Sequence, residues 1–190
     1  TWFQEAYIKP SNTDPDDVFG RSLALSGDGS VLGIGAERED GSGIGVNPPG
    51  ENDNSASDAG AAYIFERAGS SGNQSTYIKA SNTEARTNNF GAAIDVSTDG
   101  GYLVVGAPLE QSRGVGINGD ESQVFSLRIG AAYLFAKDAT TGDWSQTAYV
   151  KSSNSDESEA GFGRNLEFGF SLATSADGTV LAVGAPSDGS

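Results

Sequence analysis

Carboxylates are the side chains through which this sequence could do chemistry. It carries 26 Asp and Glu against 11 Lys and Arg in 190 residues, a formal net charge of −15. They gather in the stretch Glu37 to Ala59, where Glu37, Glu39, Asp40, Glu51, Asp53 and Asp58 stand with Asn54 among glycines and prolines. Glu39, Asp40, Asp53, Asn54 and Asp58, helped by backbone carbonyls, could converge on one Ca²⁺, a hard cation that takes six to eight oxygens. The competing reading is a solvated loop. An acidic residue stands three positions after each Gly-Ala pair, as Glu39, Glu110 and Asp188. That recurrence points to a role at the position, either metal ligation or capping of backbone amides. A pair of carboxylates would also suffice for glycoside hydrolysis. With 26 acidic residues no pair stands out, so no catalytic residue is assigned.

Composition removes most other chemistry. Cys, Met and His are absent, which excludes disulfides, thiol nucleophiles, a histidine general base and a Ser-His-Asp triad. The negative balance argues against nucleic acid and against anionic membrane surfaces. No apolar run approaches the ~20 residues of a membrane span. Gly43-Ile44-Gly45 lacks the strand-to-helix setting of a nucleotide loop, and Asn73-Gln74-Ser75 is an N-glycosylation sequon by pattern.

The elements that must position these residues repeat at a period of about seventy. Phe-Gly pairs stand at Phe19-Gly20, Phe90-Gly91 and Phe168-Gly169. Each opens a strand, a turn containing Asp-Gly (Asp28-Gly29, Asp99-Gly100, Asp177-Gly178) and a short Gly-rich return strand. An Asp-Gly pair tolerates the positive φ angles of a two-residue hairpin. The return strands end at Gly35-Ala36, Gly106-Ala107-Pro108 and Gly184-Ala185-Pro186. Their glycines predict close packing on that strand. A third strand reads Ala61-Ala62-Tyr63-Ile64-Phe65 and Ala131-Ala132-Tyr133-Leu134-Phe135. A fourth reads Tyr7-Ile8-Lys9, Tyr77-Ile78-Lys79 and Tyr149-Val150-Lys151, each followed by Ser-Asn at Ser11-Asn12, Ser81-Asn82 and Ser153-Asn154. Trp2 and Trp144 precede two of these copies and belong on outer strands; the aromatics that recur in register are expected in the core.

No segment has helical periodicity. The fold class is all-β, with β-propeller blades of four antiparallel strands. Repeat 1 covers about 1–71, repeat 2 about 72–143 and a truncated repeat 3 about 144–190. Two complete blades and partial blades at both ends are expected to form part of a larger ring, or to complete one with other copies. The segment Asp156 to Glu167 is an insertion. The long loops between strands two and three, Glu37 to Ala59 and Leu109 to Ile129, share Gly45-Val46-Asn47 and Gly116-Ile117-Asn118 and then diverge, with Asp53-Asn54-Ser55 opposite Gln123-Val124-Phe125. Long loops on a rigid repeat are where binding is usually built.

The order Phe-Gly, Gly-Ala-Pro, Gly-Ala-x-Tyr-x-Phe resembles the FG-GAP repeat of integrin α-subunit propellers and of bacterial surface proteins. Phe19-Gly20 with Gly35-Ala36, Phe90-Gly91 with Gly106-Ala107-Pro108, and Phe168-Gly169 with Gly184-Ala185-Pro186 carry the likeness, with Glu37 in place of the first Pro. The resemblance implies a seven-bladed propeller in an extracellular or cell-surface protein, often adhesive, and Ca²⁺ in an Asp-x-Asp-x-Asp-Gly loop between strands one and two. This sequence departs there, because each such loop offers one carboxylate. The expected function is a non-enzymatic adhesion or protein-interaction module with a protein or cell-surface ligand. The alternative is a structural unit that self-associates through open blade edges into a ring or filament. A carbohydrate-binding propeller ranks below both, because the Glu37 to Ala59 loop has no aromatic residue.

Overall fold

The computed structural model describes residues 1–68, 71–83, 88–122, 127–153 and 165–188. Asn154, Gln123-Val124-Phe125 and most of the Asp156 to Glu167 insertion lie outside them. Among the described residues there is no helix. Strands β1 (Phe19–Leu25), β2 (Val31–Ala36), β3 (Ala61–Ala68) and β4 (Ser71–Ile78) form one antiparallel sheet in chain order. Strands β5 (Ala93–Val96), β6 (Tyr102–Ala107), β7 (Ala131–Lys137) and β8 (Trp144–Val150) repeat it, and β9 (Ser171–Thr174) pairs with β10 (Leu181–Gly184) as a third unit. These sheets are the blades of a β-propeller.

The motif glycines are explained by contact between blades. A Cβ on Gly35 would lie 2.0 Å from the Gly91 carbonyl oxygen, and one on Gly106 would lie 2.1 Å from that of Gly169. The Phe-Gly of one blade therefore rests its backbone on the Gly-Ala of the blade before. Gly91 N donates to Gly106 O at 3.0 Å and Gly169 N to Gly184 O at 3.1 Å, which ties each Phe-Gly to its own return strand. Parallel bridges Gly60–Phe90 and Gly130–Phe168 complete the junctions. The Pro108 and Pro186 positions follow directly, where Glu110 N and Asp188 N turn back to Ala107 O and Ala185 O.

Side chains fill the space around these contacts. The Phe90 ring meets Tyr133 edge-on at 5.1 Å and Phe135 at 6.3 Å; Phe19 meets Tyr63 and Phe65 in the same way. Val31, Ile64 and Ile78 of the first blade share one buried cluster with Phe90, Ile94, Val96 and Leu103 of the second.

Two expectations are corrected, and Gly20 of the first Phe-Gly pair lacks the contact that Gly91 and Gly169 make. A Cβ on Gly91 or Gly169 would lie 2.2 Å from the carbonyl oxygen of Ala61 or Ala131, whereas one on Gly20 would meet nothing within 4 Å. Gly20 keeps the left-handed backbone of the motif, φ +89° beside +92° and +91°, but no described blade precedes β1 to press on it. Next, the hairpin turn is longer than two residues. Ser26 N donates to Val31 O, and of the Asp-Gly pair only Gly29 has positive φ, +71°. The Asp28 carboxylate sets this turn by accepting from Ser26 Oγ, Ser30 N and Ser30 Oγ. Finally, Tyr7-Ile8-Lys9 forms no strand, because no described strand lies beside it to pair with. Trp2 and Tyr7 are exposed in consequence, whereas Tyr77, Tyr149 and Trp144 are buried.

Gly106→Ala tests the backbone junction. Its new Cβ would meet a backbone carbonyl that cannot rotate away, so the substitution should cost about 2–3 kcal/mol and lower the thermal midpoint by roughly 4–12 °C. Scanning calorimetry with Gly72→Ala as control, a position with open space around it, checks this.

Candidate functional site

In the first two copies the recurring acid after Gly-Ala does not face solvent. Glu39 and Glu110 are each 1% exposed, and each lies against a buried lysine. Lys79 Nζ reaches Glu39 Oε2 at 2.5 Å, and Lys151 Nζ reaches Glu110 Oε2 at 2.5 Å. Sequence separation hides this pairing. The long loop leaves β2, passes along the outer edge of β4 and brings the two ends together. Lys79 N donates to Gly45 O at 2.9 Å, Asn47 N to Tyr77 O at 2.8 Å, and Tyr77 N to Asn47 Oδ1 at 2.8 Å. Asn118, Gly116, Tyr149 and Lys151 repeat the arrangement.

The carboxylates accept more than the ammonium. Glu39 takes Tyr77 OH at 2.7 Å, Asn12 Nδ2 at 2.8 Å and the Gly41 amide at 3.0 Å. Glu110 takes Tyr149 OH at 3.1 Å, Asn82 Nδ2 at 2.8 Å and the Ser112 amide at 2.8 Å. The amide-capping role expected from the recurrence is present in both copies. A second tyrosine then caps each asparagine: Tyr63 OH donates to Asn12 Oδ1 at 2.7 Å and Tyr133 OH to Asn82 Oδ1 at 2.6 Å. Asn12 and Asn82 come from the Ser-Asn turns ahead of each blade, so every network joins the incoming chain to strands two, three and four.

Burial sets the electrostatics. It pushes the Lys79 and Lys151 ammonium groups below the usual range, while Glu39 and Glu110 pull them back up. It raises the hydroxyls of Tyr63, Tyr77, Tyr133 and Tyr149, helped by the carboxylate charge beside them.

The five residues read as a calcium set are dispersed among protein partners. Glu39 is committed to Lys79. Asp40 accepts the Asp58 amide at 2.7 Å. Asp53 accepts the Ser42 and Ser55 hydroxyls. The Asn54 amide group donates to Asp14 at 2.8 Å. Asp58 has φ +51°, and its carbonyl accepts from the Asn88 and Asn89 amides of the next blade. Among the described residues no group of three acidic side chains is gathered to hold a metal ion. To collect the six to eight oxygens of a Ca²⁺ site, these side chains would have to give up the donors they now hold.

Reading the sequence missed Lys79, Lys151, Asn12 and Asn82 as site residues, though their signal was visible. Each recurs in the same copies as the acid.

One neighbour of Glu39 titrates in an accessible range. Burial raises the Asp17 carboxyl to about 6, the Asp14 amide bond opposes the shift, and the Glu39, Asp14 and Asp40 charges add to it. A folded-state value above the unfolded 3.8 means that the native state binds the proton more tightly. Stability from this group is full below the unfolded value and falls as pH rises through about 6. Asp17→Asn should raise the melting temperature at neutral pH and flatten the dependence between those two values; melting curves across that range check it.

A family model described as FG-GAP repeat matches residues 2–65. No curated protein matches the chain.

Proposed function

We propose that this FG-GAP repeat chain is an integrin-like propeller module of an extracellular or cell-surface protein that binds a protein ligand without catalysing a reaction. The observation that carries the reading is a pair of exposed apolar residues at the same place on successive long loops. Ile44 is 58% exposed between Gly43 and Gly45, and Val115 is 51% exposed between Gly114 and Gly116. The hydrogen bonds of Asn47 and Asn118 to the outer strands fix the backbone beside them. A preorganised loop loses little entropy on binding. The carboxylates Glu39 and Glu110 are 1% exposed and engaged by lysine, tyrosine and asparagine donors of the chain itself, which shuts them off from an outside substrate.

Cell attachment to a surface coated with the chain tests this. Attachment should fall roughly tenfold or more in the Ile44→Asp, Val115→Asp double variant. Absence of attachment by the unaltered chain overturns the adhesive reading.

The two terminal faces favour self-association as a second reading. Leu23 and Leu25 are 64% and 59% exposed, while Ile94 and Val96 at the same repeat positions are buried between blades. Val180 is 64% exposed, while its counterpart Val31 is buried. A Leu23-Leu25 face set on a Val180 face is a heterologous contact, which generates a ring or a filament. Light scattering should show multimers that Leu23→Asp disperses. A mass of 19.4 kDa across a concentration series overturns it.

A further inference from the structure

We propose that each buried lysine, glutamate and asparagine set is a self-acting amide-forming site that joins Lys79 Nζ to Asn12 Cγ and Lys151 Nζ to Asn82 Cγ. The components stand together twice. One carboxyl touches both the nucleophile and the group that must leave. Glu39 holds Lys79 Nζ on Oε2 at 2.5 Å and Asn12 Nδ2 on Oε1 at 2.8 Å. Glu110 holds Lys151 Nζ and Asn82 Nδ2 at the same two distances. The Tyr63 and Tyr133 hydroxyls donate to the asparagine Oδ1 atoms, where negative charge develops when the carbonyl carbon is attacked. A structural ion pair requires only the lysine and the glutamate. The asparagine adds a carbonyl facing a donor and an amide nitrogen facing an acid, which is the orientation that transamidation requires.

The step balances without an outside reagent. The Lys79 ammonium passes a proton to Glu39, which leaves a neutral amine beside a neutral carboxylic acid. Burial pushes the Lys79 ammonium below its usual range, which favours the neutral amine. The reaction requires rotation about the last Lys79 torsions, between staggered wells, to bring Nζ from Oε2 to Asn12 Cγ. The amine lone pair forms the Nζ–Cγ bond, and the carbonyl electrons move to Oδ1 against the Tyr63 hydroxyl. Glu39 gives its proton to Nδ2 and takes one from Nζ. The Cγ–Nδ2 bond breaks and ammonia leaves. Glu39 ends as the neutral acid, so no charge is stranded when the ammonium disappears. Holding the reactants side by side replaces a bimolecular encounter with an intramolecular one.

The product would clasp a whole blade. Asn12 lies ahead of β1 and Lys79 directly after β4, so one bond closes all four strands into a covalent loop. A chain without cysteine would gain the constraint on the unfolded state that a disulfide provides.

Intact-mass spectrometry of the denatured full chain tests the proposal. The mass should fall short of the sequence mass by two ammonia molecules, one for each bond. Peptide mapping should recover the segment containing Asn12 linked to that containing Lys79, and Asn82 linked to Lys151. Glu39→Gln cannot cycle the proton and should restore one ammonia of mass while the Glu110 site keeps its deficit; Glu110→Gln does the converse. If either variant fails to fold, the unaltered chain still decides. A full sequence mass in the folded chain after prolonged incubation at neutral pH overturns the proposal. So does a deficit without linked peptides, and a link at only one site overturns the assignment of the other.

Discussion

Adjacent blades touch backbone to backbone, and the remaining order follows from that closeness. The Gly35 and Gly106 positions admit no Cβ, because the Gly91 and Gly169 carbonyls occupy the space. Once the backbones are in contact, the Phe-Gly amide reaches its own return strand and the Phe ring is delivered onto the third-strand tyrosine. The aromatic packing of Phe90 on Tyr133 is therefore a consequence of the glycine contact. Side chains alone would allow a blade to slide against its neighbour. A carbonyl seated on a glycine with flanking parallel bridges allows one register.

Buried charge then fixes how the chain enters each blade. Apolar replacements for a buried ion pair often match or exceed its stability, whereas losing one partner costs about 3–5 kcal/mol. The Glu39–Lys79 pair is therefore better understood through what it specifies. Asn12 belongs to the segment ahead of the blade, Glu39 to the loop after β2, Tyr63 to β3 and Lys79 to the end of β4. Any other path for the incoming chain would leave a buried carboxylate, ammonium or carboxamide short of a partner. The second blade uses Asn82, Glu110, Tyr133 and Lys151 in the same four places, and Ser112 adds a hydroxyl beside Tyr149.

The fold was legible because its determinants repeat in register. Phe-Gly, Gly-Ala and Ala-Ala-Tyr recur at matching offsets, and these are the places where blades or strands meet. Gly20 shows the limit of that rule, since a motif residue has its contact only where a preceding blade stands against it. The turn was misjudged because Asp-Gly suggests a two-residue hairpin, while the Asp28 carboxylate organises a longer one through Ser26 and Ser30. The strand assigned to Tyr7-Ile8-Lys9 failed for a non-local reason: a strand needs a neighbour, and pattern alone does not supply one. The site was half legible. The acid after Gly-Ala stood out by recurrence, and its lysine recurs too, but about one half-repeat away, where recurrence alone does not say that the two pair. Charged residues default to the surface, so Lys79 read as the polar end of a strand marker. Only the return of the long loop along β4 reveals that the two meet.

That return also decides which surfaces remain for partners. An unpaired outer strand is a template for pairing with another chain. Here Val46 bridges Ile78 and Ile117 bridges Val150, so each long loop covers the end of its own outer strand. Farther along β4, Gln74 is engaged from outside by Ser11, whose amide donates to Gln74 Oε1 at 2.9 Å. Outer edges covered in this way favour association through the blade faces, where Leu23 and Leu25 are open, over pairing along β4 or β8. A net charge of −15 adds long-range repulsion to any such approach. A contact that forms must therefore bury enough apolar face to overcome it. The loop that covers the edge is the one that holds Ile44 in the open, so edge protection and the exposure of Ile44 rest on the same hydrogen bonds at Asn47.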